Sequence, residues 1–200
     1  MGTASVYRAA DQVRMPWKNG AGTTLEVARL DDAATGRMLW RVSIADVADN
    51  GPFSIFDGYR RIISVLEGEG MQLTVGGERS RPLRRHDAFA FDGGAITNCE
   101  LLGGPIRDFN LIFAADRVAG RMRWVTVRGR ERIASTAATL LVYNAADETV
   151  HAESDTSAVS LDPGDCLRMG DAELSLLARG SSEAVCAVIE LSAHKRPVVE

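Results

Sequence analysis

The sequence predicts an all-β protein with little helix. Short runs rich in β-branched and aromatic residues recur along the 200-residue chain, and glycine-rich turns separate them. No stretch long enough for a full helix repeats its apolar residues at helical spacing. Many short strands at regular intervals are typical of β-sandwiches and β-barrels.

The predicted strands follow from these runs, and each is bounded by a turn signal. In chain order they are 25–30, 39–44, 61–66, 71–75, 88–91, 97–102, 108–113, 123–128, 139–144, 150–152, 157–161, 166–169, 174–178 and 185–191. One helical turn is expected at 45–49. The basic segment 121–132 alternates arginines with apolar residues, which indicates a strand with one solvated face.

The two halves of the chain have a similar strand rhythm. Residues 55–113 and residues 136–191 each contain a series of strands broken at comparable turns. Internal similarity of this kind predicts a duplicated barrel. We therefore expect one barrel in residues 1–120 and a second in 121–200, joined in one compact unit, with the N-terminal strands able to pair with the second barrel.

Charge and hydropathy exclude several classes of function. The net charge of −4 argues against a general nucleic-acid binder, which needs a basic face. No apolar run is long enough to span a membrane, and no secretory signal is evident. The three cysteines, at positions 99, 166 and 186, have neither disulfide nor zinc-site spacing, and each lies in an apolar run. We expect a cytoplasmic protein with no membrane partner.

The segment 65–78 resembles the first half of a cupin barrel, and it lacks the cupin metal ligands. The family places a histidine pair near 54–57, a glutamate seven residues before Gly68, and a further histidine near 97. This chain has no histidine at those places, and Arg61 occupies the glutamate position. Its three histidines are far apart, so neither a metal nor another cofactor is expected.

Arg61 is the most informative of these differences. Strand alternation places it on one face with Tyr59, Ile63 and Val65. If that face points inward, a guanidinium stands where other cupins hold a metal, and it can bind a carboxylate at two points. The alternatives are that Arg60 points inward instead, or that Arg61 pairs with an internal acid.

Asp108 and Asn110 share a strand face, opposite Phe109 and Leu111. If the polar pair is inward, Asp108 can hold the guanidinium of Arg61, and Asn110 can hydrogen-bond a ligand carbonyl or amide. If the apolar pair is inward, the polar pair lies on a surface edge.

The segment 15–27 combines a large aromatic residue, a cation and a turn just before a strand. Trp17 needs a partner to bury against, and Lys18 is one of two lysines in the chain. Asn19 begins an Asn-Gly turn. Thr24 and Glu26 then alternate on one strand face, where Glu26 can act as a general base or as an internal partner of Lys18.

Four motifs resemble the signature of the HutD/Ves family, and their order and spacing also fit. They are 16–24, 53–58, 66–70 and 104–111. The resemblance spans roughly residues 5–192. Two positions depart from the family pattern: Ala21 stands within a run that is often all glycine, and Arg60 stands where the family usually has an acid.

The resemblance implies a bicupin without the standard metal ligands, linked in many bacteria to histidine utilisation. It implies a small-molecule binder or pathway modulator whose ligands are acidic or formylated metabolites; the Ves branch is associated with stress. The alternatives are an isomerase or hydrolase that uses Glu26 or Asp108 as its base, and an interaction protein with a vestigial pocket. We expect binding without catalysis, and a homodimer is left open.

Under this hypothesis no residue is assigned a catalytic or metal-binding role. The ligand is a small anion, with charge from Lys18 and Arg61 and an apolar wall from Trp17. The full set of expected ligand-binding residues is Trp17, Lys18, Asn19, Thr24, Glu26, Arg61, Asp108 and Asn110.

Overall fold

The computed structural model describes residues 4–17, 22–178 and 183–194. Within these ranges the chain forms nineteen strands and one short 3-10 turn at Ala9–Asp11, so the all-β prediction is confirmed. The strands are β1 (Ser5–Tyr7), β2 (Val13–Pro16), β3 (Gly22–Asp31), β4 (Met38–Val47), β5 (Gly51–Pro52), β6 (Tyr59–Glu67), β7 (Met71–Val75), β8 (Glu78–Arg79), β9 (Phe89–Asp92), β10 (Thr97–Leu101), β11 (Ile106–Ala114), β12 (Val118–Val127), β13 (Arg130–Ser135), β14 (Thr139–Asn144), β15 (Val150–Glu153), β16 (Ala158–Leu161), β17 (Cys166–Met169), β18 (Ala172–Ala178) and β19 (Ala184–Ala193).

The described chain divides into two compact units. The first unit is residues 12–115, and the second unit is residues 4–11 together with 116–194. In the first unit, one sheet has the strand order β2-β3-β4-β11-β6-β9 and another has the order β5-β10-β7-β8. In the second unit the orders are β1-β17-β14-β19-β12 and β13-β18-β15-β16. Neighbouring strands are antiparallel throughout these sheets.

The prediction of a helical turn at 45–49 is wrong, because β4 continues to Val47. Ala45 pairs with Thr24 on one side and Asp108 on the other, and Val47 pairs with Gly22 and Ile106. Both side chains are buried. Pairing on two sides of a central strand therefore decides the conformation of this segment against its weak local preference.

Each unit has a buried apolar cluster. In the second unit it includes Leu140, Val142, Leu176 and Val188, all fully buried. In the first unit it includes Ile63, Met71 and Leu73, which are also fully buried. Arg61, Asp108 and Asn110 are buried there too. Buried polar groups need partners or a ligand. The buried Asn144 and Asp165 of the second unit have hydrogen-bond partners, whereas Oδ1 of Asp108 has none among the described residues, so the first unit is where a site is to be sought.

Candidate functional site

Three adjacent strands of the first unit bring the polar residues together in rows. Ile112 on β11 pairs with Arg41 on β4 and with Arg61 on β6. Two residues along, Asn110 pairs with Ser43 on β4. Since adjacent strands lie about 4.8 Å apart, the two arginines start from backbone positions about 10 Å apart, on either side of Ile112.

The next row of the same face carries the acid. Asp108 pairs with Ala45 on β4 and Val65 on β6, beside a β-bulge between Arg107 and Asp108. Strand alternation keeps residues 108, 110 and 112 on one face. That face lines a cavity of about 570 Å³, which lies wholly in the first unit. Its lining residues are Met15, Pro16, Trp17, Thr24, Arg41, Ser43, Ala45, Pro52, Phe53, Ser54, Phe56, Arg61, Asp108, Asn110 and Ile112.

Arg61 is buried among aromatic rings. Only 4% of the residue is exposed, whereas its neighbour Arg60 is exposed. The guanidinium carbon lies 5.2 Å from the ring centroid of Phe53, 5.5 Å from that of Phe56 and 4.9 Å from that of Phe91. These cation–π contacts fix the guanidinium and offset part of the cost of removing it from water.

The hydrogen bonds of Arg61 use Nε and Nη1 of its guanidinium and leave Nη2 available to a ligand. Its Nε donates to Oδ1 of Asn110 at 3.4 Å, and its Nη1 donates to the carbonyl oxygen of Ser54 at 3.3 Å. Nη2 makes no hydrogen bond to a described residue, and no described carboxylate forms an ion pair with this side chain. Burial lowers its pKa to about 10, Asp108 opposes that shift and Arg41 adds to it. Arg61 is therefore a cation at neutral pH.

Arg41 supplies a second cation to the same cavity. Its guanidinium carbon lies 5.5 Å from the centroid of Phe56, and its Nε is buried without a partner among the described residues. Burial lowers the pKa of Arg41; Glu26 opposes this shift and Arg29 reinforces it. The cavity thus holds two guanidinium groups that share one ring.

Asp108 is the carboxyl group of the cavity. It is 2% exposed, and its Oδ1 is buried with no hydrogen-bond partner among the described residues. Burial raises its pKa to about 7, against the opposing effects of the Arg61 charge and the Asn110 side chain. At neutral pH the group is therefore protonated in a substantial part of the molecules.

Trp17 forms a wall of the cavity and is fixed at both ends. Its indole Nε1 donates to Oγ1 of Thr24 at 2.7 Å, and its backbone N–H donates to the carbonyl of Gly22 at 2.9 Å. A Cβ on Gly22 would lie 2.3 Å from the carbonyl oxygen of Asp46 and 3.1 Å from the indole ring. Only glycine allows this approach of β3 to both neighbours.

The comparisons with known proteins identify the family. The HutD family model matches residues 9–186.

The chain belongs to the HutD family.

Relatives of this HutD-family chain lie in several bacteria. It is 45% identical over 175 residues to an uncharacterised 21.2 kDa protein in the hutC 3' region of Pseudomonas putida, covering 87% of this chain and 91% of that one. It is 37% identical over 108 residues to protein Ves of Citrobacter koseri, which is 54% of this chain and 56% of Ves. The HutD/Ves resemblance is therefore confirmed.

Solved structures support the same family and fold. HutD from Pseudomonas fluorescens SBW25, in the formate condition, is 43% identical with a TM-score of 0.80, covering 96% of this chain and all of that one. A cupin 2 conserved barrel domain protein from Leptotrichia buccalis has a TM-score of 0.54 at 9% identity, over 86% of this chain and 89% of that one. The latter likeness shows the fold alone, and the cupin-like prediction is confirmed.

The predicted site residues of this HutD-family chain fall into three groups. The structure brings Trp17, Thr24, Arg61, Asp108 and Asn110 to the cavity. Lys18 and Asn19 lie outside the described residues.

Glu26 is the member that the structure places elsewhere. It pairs with Ser43, is 28% exposed at its side chain and lies 3.9 Å from Nη1 of Arg29. It is not among the residues that line the cavity.

Sequence reasoning missed Arg41, Ser43, Phe53 and Phe56. Arg41 and Ser43 alternate with buried apolar residues along β4, which is the same signal that located Arg61. The two phenylalanines lie between β5 and β6, inside the family motif 53–58. Strand periodicity gives no information in such a connection, and the motif alone could have drawn attention to them.

The described residues were also compared with the requirements of a metal site and of a membrane-spanning helix. Across the described ranges, no cluster of three His, Cys, Asp or Glu side chains is arranged to hold a metal ion. In the same part of the chain, no helix has the length and apolar character needed to cross a membrane.

Proposed function

We propose that this HutD-family chain binds a small carboxylate or formylated metabolite in the cavity of its first unit, without a metal, and thereby modulates histidine utilisation. The observation that carries the proposal is the Arg61 guanidinium, buried in the cavity with no carboxylate paired to it among the described residues. An anion seated against Nη2 would supply the missing partner.

The charge of the cavity favours an anion. Arg41 and Arg61 bring two positive charges, and Asp108 is the one carboxylate-bearing residue in the described lining. Burial raises the pKa of Asp108 to about 7, so at neutral pH it cancels those charges only in part. Buried cations without counter-charge are costly, and a bound anion reduces that cost.

The shape of the guanidinium environment favours a planar acceptor. Rings of Phe53, Phe56 and Phe91 lie around Arg61, while its hydrogen bonds run to Asn110 and Ser54. A carboxylate or a formyl oxygen can accept from the Nη2 edge in that same plane. Trp17 and Ile112 give apolar surface for a short carbon skeleton.

The pathway assignment rests on the relatives. A family member from Pseudomonas putida lies in the hutC 3' region, and the family carries the HutD name. We extend that context to this chain as part of the proposal. Three buried free thiols, at positions 99, 166 and 186, are compatible with a reducing cytoplasm.

Thermal unfolding with a panel of acids tests the proposal. Formate, acetate, N-formylglutamate and urocanate are compared with formamide and acetamide at equal ionic strength. We expect a rise in Tm with at least one acid and none with the neutral amides. At a hundred times Kd the stabilisation is about 2.7 kcal/mol.

A matched pair of variants localises the effect. Arg61→Met removes the buried guanidinium, whereas Arg60→Met removes an exposed one from the adjacent position of the same strand. Only Arg61→Met should abolish the shift in Tm. Absence of any acid-dependent shift, or equal responses in the two variants, would contradict the proposal.

A further inference from the structure

Asp108 and Arg61 face the same cavity from adjacent strands and yet form no ion pair. Asp108 pairs with Val65, four residues along β6 from Arg61, which is a backbone offset of about 13 Å. The Arg61 side chain extends back along the strand only as far as Asn110, with Nε 3.4 Å from Oδ1. Asn110 contacts both side chains, so a ligand group can meet the guanidinium and the carboxyl together from the cavity that all three residues line.

The surroundings of Asp108 do not supply a donor for its Oδ1. On β11 the neighbouring polar side chain is Asn110, whose contact favours the ionised form. On β10 the nearby thiol of Cys99 is itself held neutral, because burial raises its pKa to about 12. Oδ1 is left buried and without a partner among the described residues.

The charged groups on the neighbouring strands shift the pKa of Asp108 in opposite directions. Arg61 on β6 favours the ionised carboxyl, and Asp46 on β4 opposes it. Asp46 is held ionised by Thr23, Arg14 and Arg107, which lower its pKa despite partial burial. Five residues before Asp46, β4 also carries Arg41, and Glu26 on β3 pairs with Ser43.

An ionised Asp108 would repel an incoming carboxylate and leave its own Oδ1 unsatisfied in a buried place. A protonated Asp108 has an O–H to donate. A bond from a carboxylic acid to a carboxylate is short and among the strong hydrogen bonds of proteins. The same ligand oxygen pair can accept from Nη2 of Arg61 on its other side.

Building on the proposed function, we propose that Asp108 determines the specificity of the cavity for anions by binding them as a neutral acid. Its O–H donates to one oxygen of the ligand carboxylate, and Arg61 donates to the other. Each anion that binds above neutral pH therefore enters with one proton. No covalent bond changes, and the proton comes from solvent.

This coupling makes affinity depend on pH with a defined slope. While Asp108 of the free protein is protonated, affinity is constant. Once it is ionised, each further pH unit weakens binding by about tenfold, because a proton must be taken up. Between pH 7 and pH 9 we expect Kd for acetate or formate to rise by about fiftyfold, because Asp108 is already about half ionised at pH 7.

Isothermal titration calorimetry tests the inference with formate and acetate as probes. Titrations of the full chain at pH 6, 7, 8 and 9, in buffers of different ionisation enthalpy, give the number of protons taken up per ligand. We expect about zero at pH 6 and about one at pH 9. Neither probe titrates in that range, so the proton belongs to the protein.

Two variants assign the proton. Asp108→Asn keeps a neutral donor of the same shape, and it should bind both probes with an affinity that is flat from pH 6 to 9 and with no proton uptake. Glu67→Gln changes an exposed surface carboxylate at the end of β6 and should behave as wild type.

The possible failures are distinguishable. Binding of formate or acetate with a flat pH profile and no proton uptake would overturn this inference and leave the proposed function intact. No binding of any acid of the panel at any pH would overturn both. If Asp108→Asn does not fold, the proton count of the wild-type protein still decides.

Discussion

Arg41 and Arg61 place their guanidinium carbons at the same distance, 5.5 Å, from the centroid of one ring, that of Phe56. They reach it from strands that flank Ile112 on either side. The charge of Arg41 bears on Arg61, because it contributes to lowering the pKa of Arg61. A ligand anion would meet both cations, and the free protein has to hold them close together.

Replacing Arg41 should therefore weaken anion binding while leaving the stability of the ligand-free protein nearly unchanged. Arg41→Met removes one of two mutually repelling cations, so we expect the free energy of unfolding of the ligand-free protein to stay within about 1 kcal/mol of wild type. Affinity for acetate should fall by about tenfold or more, because one charge is lost. Urea unfolding and calorimetric titration measure the two effects. Arg29→Met, on an exposed arginine of β3, is the control and should leave affinity unchanged; a loss of affinity in both variants would contradict the assignment.

The hydrogen bond from the indole of Trp17 to Thr24 should stabilise the folded protein. Trp17→Phe and Thr24→Val each remove one partner of the 2.7 Å bond from Nε1 to Oγ1, and each should cost about 1 to 2 kcal/mol of unfolding free energy. The double variant should cost less than the sum, because the bond is lost once. Equilibrium denaturation of the four proteins gives the coupling energy. Fully additive costs would show that the bond contributes nothing.

Gly22 is required by the close approach of backbone at the start of β3. A Cβ at this position would meet the Asp46 carbonyl at 2.3 Å, so Gly22→Ala should destabilise the protein by about 1 to 3 kcal/mol and disturb the Trp17 wall. Tryptophan fluorescence and thermal unfolding report the two effects. Gly51→Ala is the matched control, since nothing lies within 4 Å of a Cβ there; equal losses in both variants would rule out this explanation.

Stability should depend on the ionisation of Asp108. Its pKa is raised from 3.8 to about 7 in the folded protein, so the folded state binds this proton more tightly than the unfolded state does. The contribution is present in full below about pH 4 and is lost as pH rises toward 7, an interval worth up to about 4 kcal/mol. The free energy of unfolding, measured from pH 4 to 8 for wild type and Asp108→Asn, tests this. The wild-type value should fall relative to the variant over that window, and parallel curves would contradict the prediction.

Strand periodicity located much of the structure because central strands are long and have regular alternation. Each of the fourteen predicted strands overlaps an observed one. The five strands that were missed are short or strongly charged: β5 and β8 have two residues each, β1 has three, β2 has four, and β13 begins Arg-Glu-Arg. Pairing with a neighbour, not local preference, determines such edge segments.

The candidate site was predictable to the same extent. Alternation placed Asp108 and Asn110 on one face, and that face lines the cavity. The expected alternative, with Phe109 and Leu111 inward, assumed a strand with one solvated face, whereas both faces of β11 are buried. The aromatic rings around Arg61 come from a connection and from β9, and their convergence depends on tertiary structure that no local pattern encodes.

Because β1 pairs with β17, the start of the chain completes a sheet whose other members are made last. Arg8 reinforces this seam through the buried carboxylate of Asp165, at 2.6 Å. During synthesis on the ribosome, the cavity-bearing unit has its whole sequence available once residue 115 has emerged. Residues 4–11 must wait for the strand some 160 positions later. The second unit can therefore complete its sheet only after the whole sequence of the first unit has been made.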